Sequence, residues 1–210
     1  MRSFIRKLRP RLPFSTGVRG ARKSLYKFPV AMQFALSGQG DQAAGWLSEW
    51  LGRAVRLVRF DPRARRLCNP AYAGTSGAHT AFADAYPLLV TSEASLEDLN
   101  SRLAIPLPMN RFRPNLVLSG IEAYDEDHID EIRIGRSMLK LVKPCTRCRT
   151  TTTDQATAEV GIEPLPTLAV YRRDDALDGV TFGMNAIVAA GADEIIRVGD
   201  RARCALRFAD

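Results

Sequence analysis

A chain of 210 residues, 46% hydrophobic and 25% charged, is long enough for one domain with a substantial core and too apolar for global disorder. It holds no run of eighteen apolar residues, so no membrane-crossing helix is expected, and four cysteines are too few for a disulfide-stapled framework, which favours a reducing compartment. The net charge of +7 is unevenly placed: the first 40 residues carry nine Lys or Arg and no acid, so the other 170 sum to −2 and are not a general polyanion binder.

That basic start, residues 1–38, is read as a leader or the remnant of an N-terminal domain, with 39–210 as the compact part. An Arg-rich, acid-free, Ser-containing segment suits a transit peptide, an arm touching phosphate or an anionic surface, or a solvated tail. It lacks the apolar core of a secretory signal. From Asp41 the spacing of Ala43, Ala44, Leu47, Trp50 and Leu51 predicts a helix capped by Asp41 and stopped by Gly52. "AVRLVRF" follows as an alternating strand turning Val55, Leu57 and Phe60 inward. Residues 61–80 read as a long loop. "YPLLVT" reads as a buried strand, "SEASLEDLNSRL" as a helix capped by Ser92 with Leu96, Leu99 and Leu103 on its apolar face, and "NLVLSG" as another buried strand.

The acidic run from Glu122 to Glu131 lacks calcium-loop spacing and is expected to be a solvated face. "EIRIG" and "MLKLVK" predict two strands around Gly135. "TLAVYRR", "GVTFGMNAIV" and "IIRVGDRARCALRF" complete the chain as strands, with turns at Asp174-Asp175 and Gly199-Asp200. Many short strands with inserted helices make the fold class mainly β with inserted helices (α+β), an antiparallel barrel or curved sheet. Dinucleotide, P-loop, zincin and nucleophile-elbow signatures are absent from the sequence.

The chemistry concentrates in two stretches. In "VKPCTRCRTTTTD", Lys143, Arg147 and Arg149 surround Cys145 and Cys148, and cations beside a thiol favour the thiolate, which serves as nucleophile, redox group or metal ligand. Cys68, Cys204, His79 and His128 stand at no zinc spacing. One sulfur cannot complete a metal shell, so a metal here would bring its own donors with a cofactor. In "NRFRPN", Arg113 precedes Pro114, where the backbone is pushed extended, so its guanidinium can project into a cleft beside Asn115. Asp154 can pair with a cation or handle a proton, and Gly183, Met184 and Asn185 border a cleft or form a bulge.

"NRFRPNLVLSG", "VKPCTRCRTTTTDQAT" and "VTFGMNAIV" closely resemble the MOSC domain of molybdenum cofactor sulfurases, in the branch of the amidoxime-reducing components and their bacterial relatives. "GDQAAGWLSEWLGRAVRLVRF" and "FADAYPLLVTSEASLEDLN" fit the same branch, so the resemblance runs from Gln39 to Phe208. It implies a MOSC-type β-barrel holding a molybdenum–molybdopterin cofactor, with no pyridoxal phosphate. Cys145 is the implied molybdenum ligand and Cys148 a structural cysteine. Arg111, Arg113, Asn115, Thr146 and Asn185 are the implied cofactor-binding residues, while Asp84 and Asp154 are candidate catalytic groups near the opening.

The implied activity is that of a molybdenum-dependent oxidoreductase, a two-electron removal of oxygen from small N-hydroxylated compounds. Electrons would come from a separate reductase, ferredoxin-like or cytochrome-like protein. The alternative is a cofactor or sulfur carrier with Cys145 as persulfide or anchor. Nucleic acid is not an expected partner. The expected location is cytoplasmic, or mitochondrial if the basic start is a transit segment.

Overall fold

The computed structural model describes residues 3–6, 23–27, 33–61 and 63–207. The basic start enters only as three strands, β1 (Ser3–Arg6), β2 (Lys23–Lys27) and β3 (Gln33–Gly38). The remainder of that expected leader lies outside the described residues. Two compact units result: Met1–Arg9, Leu67–His79 and Ala83–Asp210 form the larger, Pro10–Arg66 with Thr80–Phe82 the smaller.

In the smaller unit β2, β3 and β4 (Val58–Phe60) form an antiparallel sheet accompanied by helix α1 (Asp41–Leu51). The helix sits where its spacing predicts and stops at Gly52, which adopts φ 64° and returns its N–H to the carbonyls of Ser48 and Glu49. Its start differs from expectation: Gly40 is the cap residue, with no side-chain cap bond, and the Asp41 carboxylate pairs with Arg56 instead. The inward face is also narrower than predicted. Only Ala44 is buried, whereas Trp50 is 73% exposed and stacks on Trp46. Leu57, expected to point inward, is exposed, and the strand after the helix is confined to Val58–Phe60.

The segment expected as a loop, 61–80, contains two-residue strands β5 (Arg66–Leu67) and β6 (His79–Thr80) and a helical turn, α2 (Pro70–Ala73). Asn69 caps that turn by accepting the Ala71 N–H at 2.9 Å, and Pro70 at its first position gives up no needed donor.

The larger unit is built on a curled eight-stranded sheet. Its members are β1, β7 (Leu88–Ser92), β8 (Leu116–Ser119), β9 (Ile129–Ile134), β10 (Ser137–Thr146), β11 (Arg173–Asp174), β12 (Gly179–Ala190) and β13 (Arg201–Leu206). The order is β10-β9-β13-β1-β8-β7-β12-β11, antiparallel throughout except for β7 beside β8. The sheet curls because β10 also pairs with β12. The mixed α+β class and the curved sheet are as expected. Gly135 turns β9 into β10 at φ 56°, as the sequence predicts.

The inner face packs Val90, Leu118, Ile132, Leu139 and Leu141, each essentially solvent-free. Each such side chain contributes about 1.5–3 kcal/mol by leaving water. Met184 lies in the same cluster, so it is a packing residue. Outside the sheet, α3 (Glu93–Ser101) and α4 (Leu165–Tyr171) bury Leu99 and Leu168 against Phe112 and Phe182. Ser92 caps α3 by accepting the Ser95 N–H at 3.0 Å. "TLAVYRR", predicted as a strand, runs as helix α4 up to Tyr171, and only its last residue, Arg173, enters a strand, β11. Pro164 and Pro166 fit a helix's first turn, and Leu165, Leu168 and Tyr171 recur every three residues.

A second correction falls in the acidic run. Glu126, expected on a solvated face, is completely buried, its oxygens 2.7 and 2.8 Å from the Ser95 hydroxyl at the start of α3. Burial raises its pKa, and the Ser95 hydrogen bond opposes that rise. Nearby, Tyr124 hydrogen-bonds Tyr171 and Asp98, while Arg172 and Arg102 lie over the Tyr124 and Tyr171 rings at 4.4 and 4.2 Å.

Candidate functional site

Cys145 sits near the end of β10, where the pairing with β12 changes step. Pro144 is opposite Met184 and Thr146 opposite Thr181, so Cys145 alone faces both Phe182 and Gly183. This is a β-bulge, a device that re-aims side chains. Gly183 permits it: its φ is 74°, and a Cβ there would come within 2.6 Å of Val90 O and Thr91 Cγ2 on β7. Asn185, one pair away, donates from Nδ2 to Pro144 O at 3.4 Å.

Beyond Thr146 the backbone leaves the sheet, the Arg147 N–H still reaching Val180 O at 2.8 Å. A 3-10 turn follows over Arg149–Thr152. The threonine run suits this turn: the Thr151 and Thr152 hydroxyls donate to the carbonyls of Cys148 and Arg149, both at 2.9 Å, so two buried side chains are satisfied locally.

The second stretch supplies a 3-10 turn, Met109–Arg111, followed by Phe112 and Arg113. Arg113 does not take the extended conformation expected before a proline. Its φ is 56°, an uncommon state for a non-glycine residue that the surrounding fold must hold. Its side chain is exposed. Asn115 is committed to the backbone of β7, its Oδ1 accepting the Leu89 N–H at 2.8 Å and its own N–H reaching Leu89 O at 2.9 Å.

Two arginines join these stretches. Arg111, with 11% of its side chain exposed, donates to Asp154 Oδ2 at 2.9 Å and Thr152 O at 3.2 Å. Arg147 donates from Nη1 to Cys145 Sγ at 2.8 Å and from Nη2 to Phe112 O at 2.9 Å, with its guanidinium 5.6 Å from the Phe112 ring centre. The Phe112 ring in turn stacks on Phe182 at 3.9 Å. The Nε atoms of Arg111 and Arg147 are buried with no hydrogen-bond partner among the described residues.

Of the predicted residues, the fold therefore places Cys145 and Thr146 at the β10–β12 bulge, Asn185 opposite Lys143 with its amide on Pro144 O, and Arg111 on Asp154. Thr146 is exposed, and a Cβ on Gly179 would lie 3.3 Å from its Cγ2. Asp154 Oδ1 accepts the N–H groups of Ala156 and Thr157, and those bonds, then Arg111, hold its carboxyl below the usual carboxylate range. Asp84 lies exposed on the segment leading into β7. Cys148, expected to be structural, is exposed, its Sγ 3.3 Å from Thr150 Oγ1. Lys143 does not face the thiols but lies over the Tyr72 ring at 4.8 Å. Phe112 is the residue that sequence reasoning did not place in the site, whereas Arg147, expected beside the thiols, is there with its guanidinium on Cys145 Sγ. The only signal for that contact was Arg147's position between the cysteines, which cannot say which way a side chain turns.

Among the described residues no three His, Cys, Asp or Glu side chains form a group able to hold a metal ion. A metal at these thiols would thus take most of its ligands from a cofactor. No described helix is long and apolar enough to cross a membrane.

The MOSC domain family matches residues 77–203, and the chain belongs to that family. Within it the chain is closely related to the mitochondrial amidoxime-reducing components. It is 42% identical over 172 residues to mitochondrial amidoxime-reducing component 1 of Mus musculus, covering 77% of this chain and 50% of that protein. The protein of the same name from Homo sapiens is 40% identical, with 70% and 45% covered, and that from Danio rerio 40%, with 68% and 46% covered. The chain spans about half the length of the curated relatives it matches. These names overturn the expected cytoplasmic location, since each relative is called mitochondrial.

Proposed function

We propose that this chain is a molybdenum-cofactor-dependent reductase of small N-hydroxylated compounds, acting in the mitochondrion and drawing electrons from a separate protein. The proposal treats the curled sheet as a MOSC-type barrel in which the β10–β12 pairing completes the ring. The observation that carries the reading is the junction of the cysteine turn with the "NRFRPN" stretch through Arg111 and Arg147. The relatives' names supply the amidoxime substrate class.

The donor set fits the cofactor. Thiols at the end of β10 and at the start of the following turn match a soft metal, and the guanidiniums of Arg111, Arg113 and Arg147 match an anionic pterin phosphate. The two buried Nε–H groups without a partner among the described residues are donors that such an anion would satisfy. When bound, the cofactor would supply two-electron removal of oxygen from an N–O bond.

The protein's own part is placement. The bulge and Arg147 fix the Cys145 sulfur, our proposed metal ligand, while Arg113, Asn115, Thr146 and Asn185 offer polar contacts around it. Asp154 has both oxygens engaged, so we assign it the holding of Arg111 in place of proton transfer. A second reading makes Cys148 the ligand, favoured by its exposed sulfur on the same turn.

Protein made in a host that synthesises molybdopterin should contain molybdenum and reduce an amidoxime with a chemical electron donor. Cys145→Ser should lose both turnover and the protein–sulfur contribution to the molybdenum X-ray absorption spectrum. The same loss in Cys148→Ser alone would transfer the ligand role to that residue. Retention in both variants would end the proposal, and bound cofactor without turnover in the parent would favour a carrier.

A further inference from the structure

We propose that the outer face of α1, centred on Trp46 and Trp50, docks on an anionic bilayer surface, lying on the membrane without crossing it. The inner side of the helix holds the buried Ala44 and the Ser48 hydroxyl, which accepts the Val55 N–H at 3.0 Å and donates to Val55 O at 3.1 Å. Away from that side, Trp46 and Trp50 stand one helical turn apart, 66% and 73% exposed, their rings parallel to within 3° with centres 6.3 Å apart. Leu51, at the helix's end, and Leu57, on the segment after it, are exposed as well. Single exposed apolar residues are ordinary on a protein surface; two neighbouring indoles held outward mark a contact face.

Charge selects what covers this face. By sequence the smaller unit holds eleven Lys or Arg against three Asp or Glu, a net +8, while the larger unit's nineteen against twenty give −1. The whole positive excess of the chain therefore belongs to the unit that carries the indoles. Arg53, three residues after Trp50, is exposed. Of the three acids, Asp41 pairs with Arg56 and Asp61 with Arg63. The third, Glu49, is exposed on α1 and opposes an anionic surface, but the cations outnumber it.

An indole suits the boundary between headgroups and acyl chains, since its ring is apolar and its N–H polar, and arginines beside it gain from anionic lipid. At 11 residues, about 16 Å, α1 is too short to span a bilayer and long enough to lie along its surface. A nucleic acid would call for open ring faces on which bases stack. Here the two indoles already stack on each other, and the exposed apolar residues beside them are leucines. The face lies wholly within the smaller unit, so the proposal stands whether or not the chain is a reductase.

Trp46 and Trp50 are the chain's only tryptophans, so its indole emission reports on this face alone. Added to the full chain, vesicles of phosphatidylcholine with about one-third phosphatidylglycerol should shift that emission to shorter wavelength, and lipids brominated on their chains should quench it. Vesicles of phosphatidylcholine alone should do neither. In cosedimentation with the mixed vesicles, the double variant Trp46→Ser, Trp50→Ser should bind about tenfold or more weakly, and Arg53→Gln about fivefold more weakly. All three side chains are exposed, so these variants keep the fold. Unchanged emission with mixed vesicles would overturn the proposal. So would undiminished binding by the double variant, since the basic segments alone would then suffice. An emission change with a single-stranded oligonucleotide and none with vesicles would assign the face to nucleic acid, and one that grows with protein concentration alone would assign it to a second copy of the chain. Either result would refute the membrane contact.

Discussion

Replacing Gly183 by alanine tests whether the bulge opposite Cys145 is a packed feature of the fold. The residue has φ 74°, where an L side chain costs about 1–2 kcal/mol. The new methyl group would also lie 2.6 Å from Val90 O, a backbone atom of a central strand that cannot turn aside, and 3.3 Å from Leu89 Cδ1. Overpacking of this kind costs about 1–3 kcal/mol, so a total near 3 kcal/mol is expected, or a melting point lower by roughly 6–12 °C for a chain of this size. Gly45 provides the control. It lies within α1 with nothing within 4 Å of a built Cβ, so Gly45→Ala should stabilise by about 1 kcal/mol. Thermal and urea unfolding of both variants measure the contrast. A Gly183→Ala protein melting within about 2 °C of the parent would show that the strand accommodates a side chain there and that the bulge does not fix Cys145.

Leu168→Ala should destabilise by about 2–5 kcal/mol in urea unfolding, because a fully buried leucine of α4 packs on Leu99, Phe112 and Phe182; a loss below 1 kcal/mol would contradict that packing. Glu126 has its pKa raised by burial, so its contribution to stability is fully present below the unfolded carboxyl pKa and is lost as pH rises through the folded value. The parent should therefore lose ground against Glu126→Gln between acidic and neutral pH, and a pH-independent difference would refute the assignment. Asp98 behaves oppositely: the Arg102 hydrogen bond holds its pKa down, so its contribution is present above the unfolded pKa and disappears as pH falls through the folded one. Asp98→Asn should cost stability at neutral pH and approach the parent in strong acid, as followed by denaturant titration.

Much of the scaffold was legible in the sequence because local signals agreed with tertiary demand. Ser92 before an apolar-periodic run gave α3 its start, and Gly135 between two alternating segments gave the β9–β10 turn. "NPAYAG" carried a short helix in plain sight, with Asn as cap, Pro first and Gly last, yet its four residues offered no period to detect. "TLAVYRR" misled for a different reason. A short β-rich apolar run has no decisive period, and what made it helical was the pocket that Phe112, Phe182 and Leu99 offer to Leu168. Glu126 misled because charge density predicts solvent only until a neighbouring element, here the Ser92–Ser95 turn, provides hydroxyls in the interior.

For the site, composition alone put cations beside two thiols and an arginine-rich stretch elsewhere in the chain. Residue type and order determine which chemistry is affordable, since a sulfur, a guanidinium and an amide keep their properties wherever they are placed. Which of them meet is another matter. That Arg147 grips Cys145 while Lys143 turns to Tyr72, and that Arg113 takes a left-handed backbone, were decided only by the tertiary structure. The physical reason is that side-chain direction follows from strand register and from backbone dihedrals set by distant partners, and neither is written in the spacing of the residues themselves.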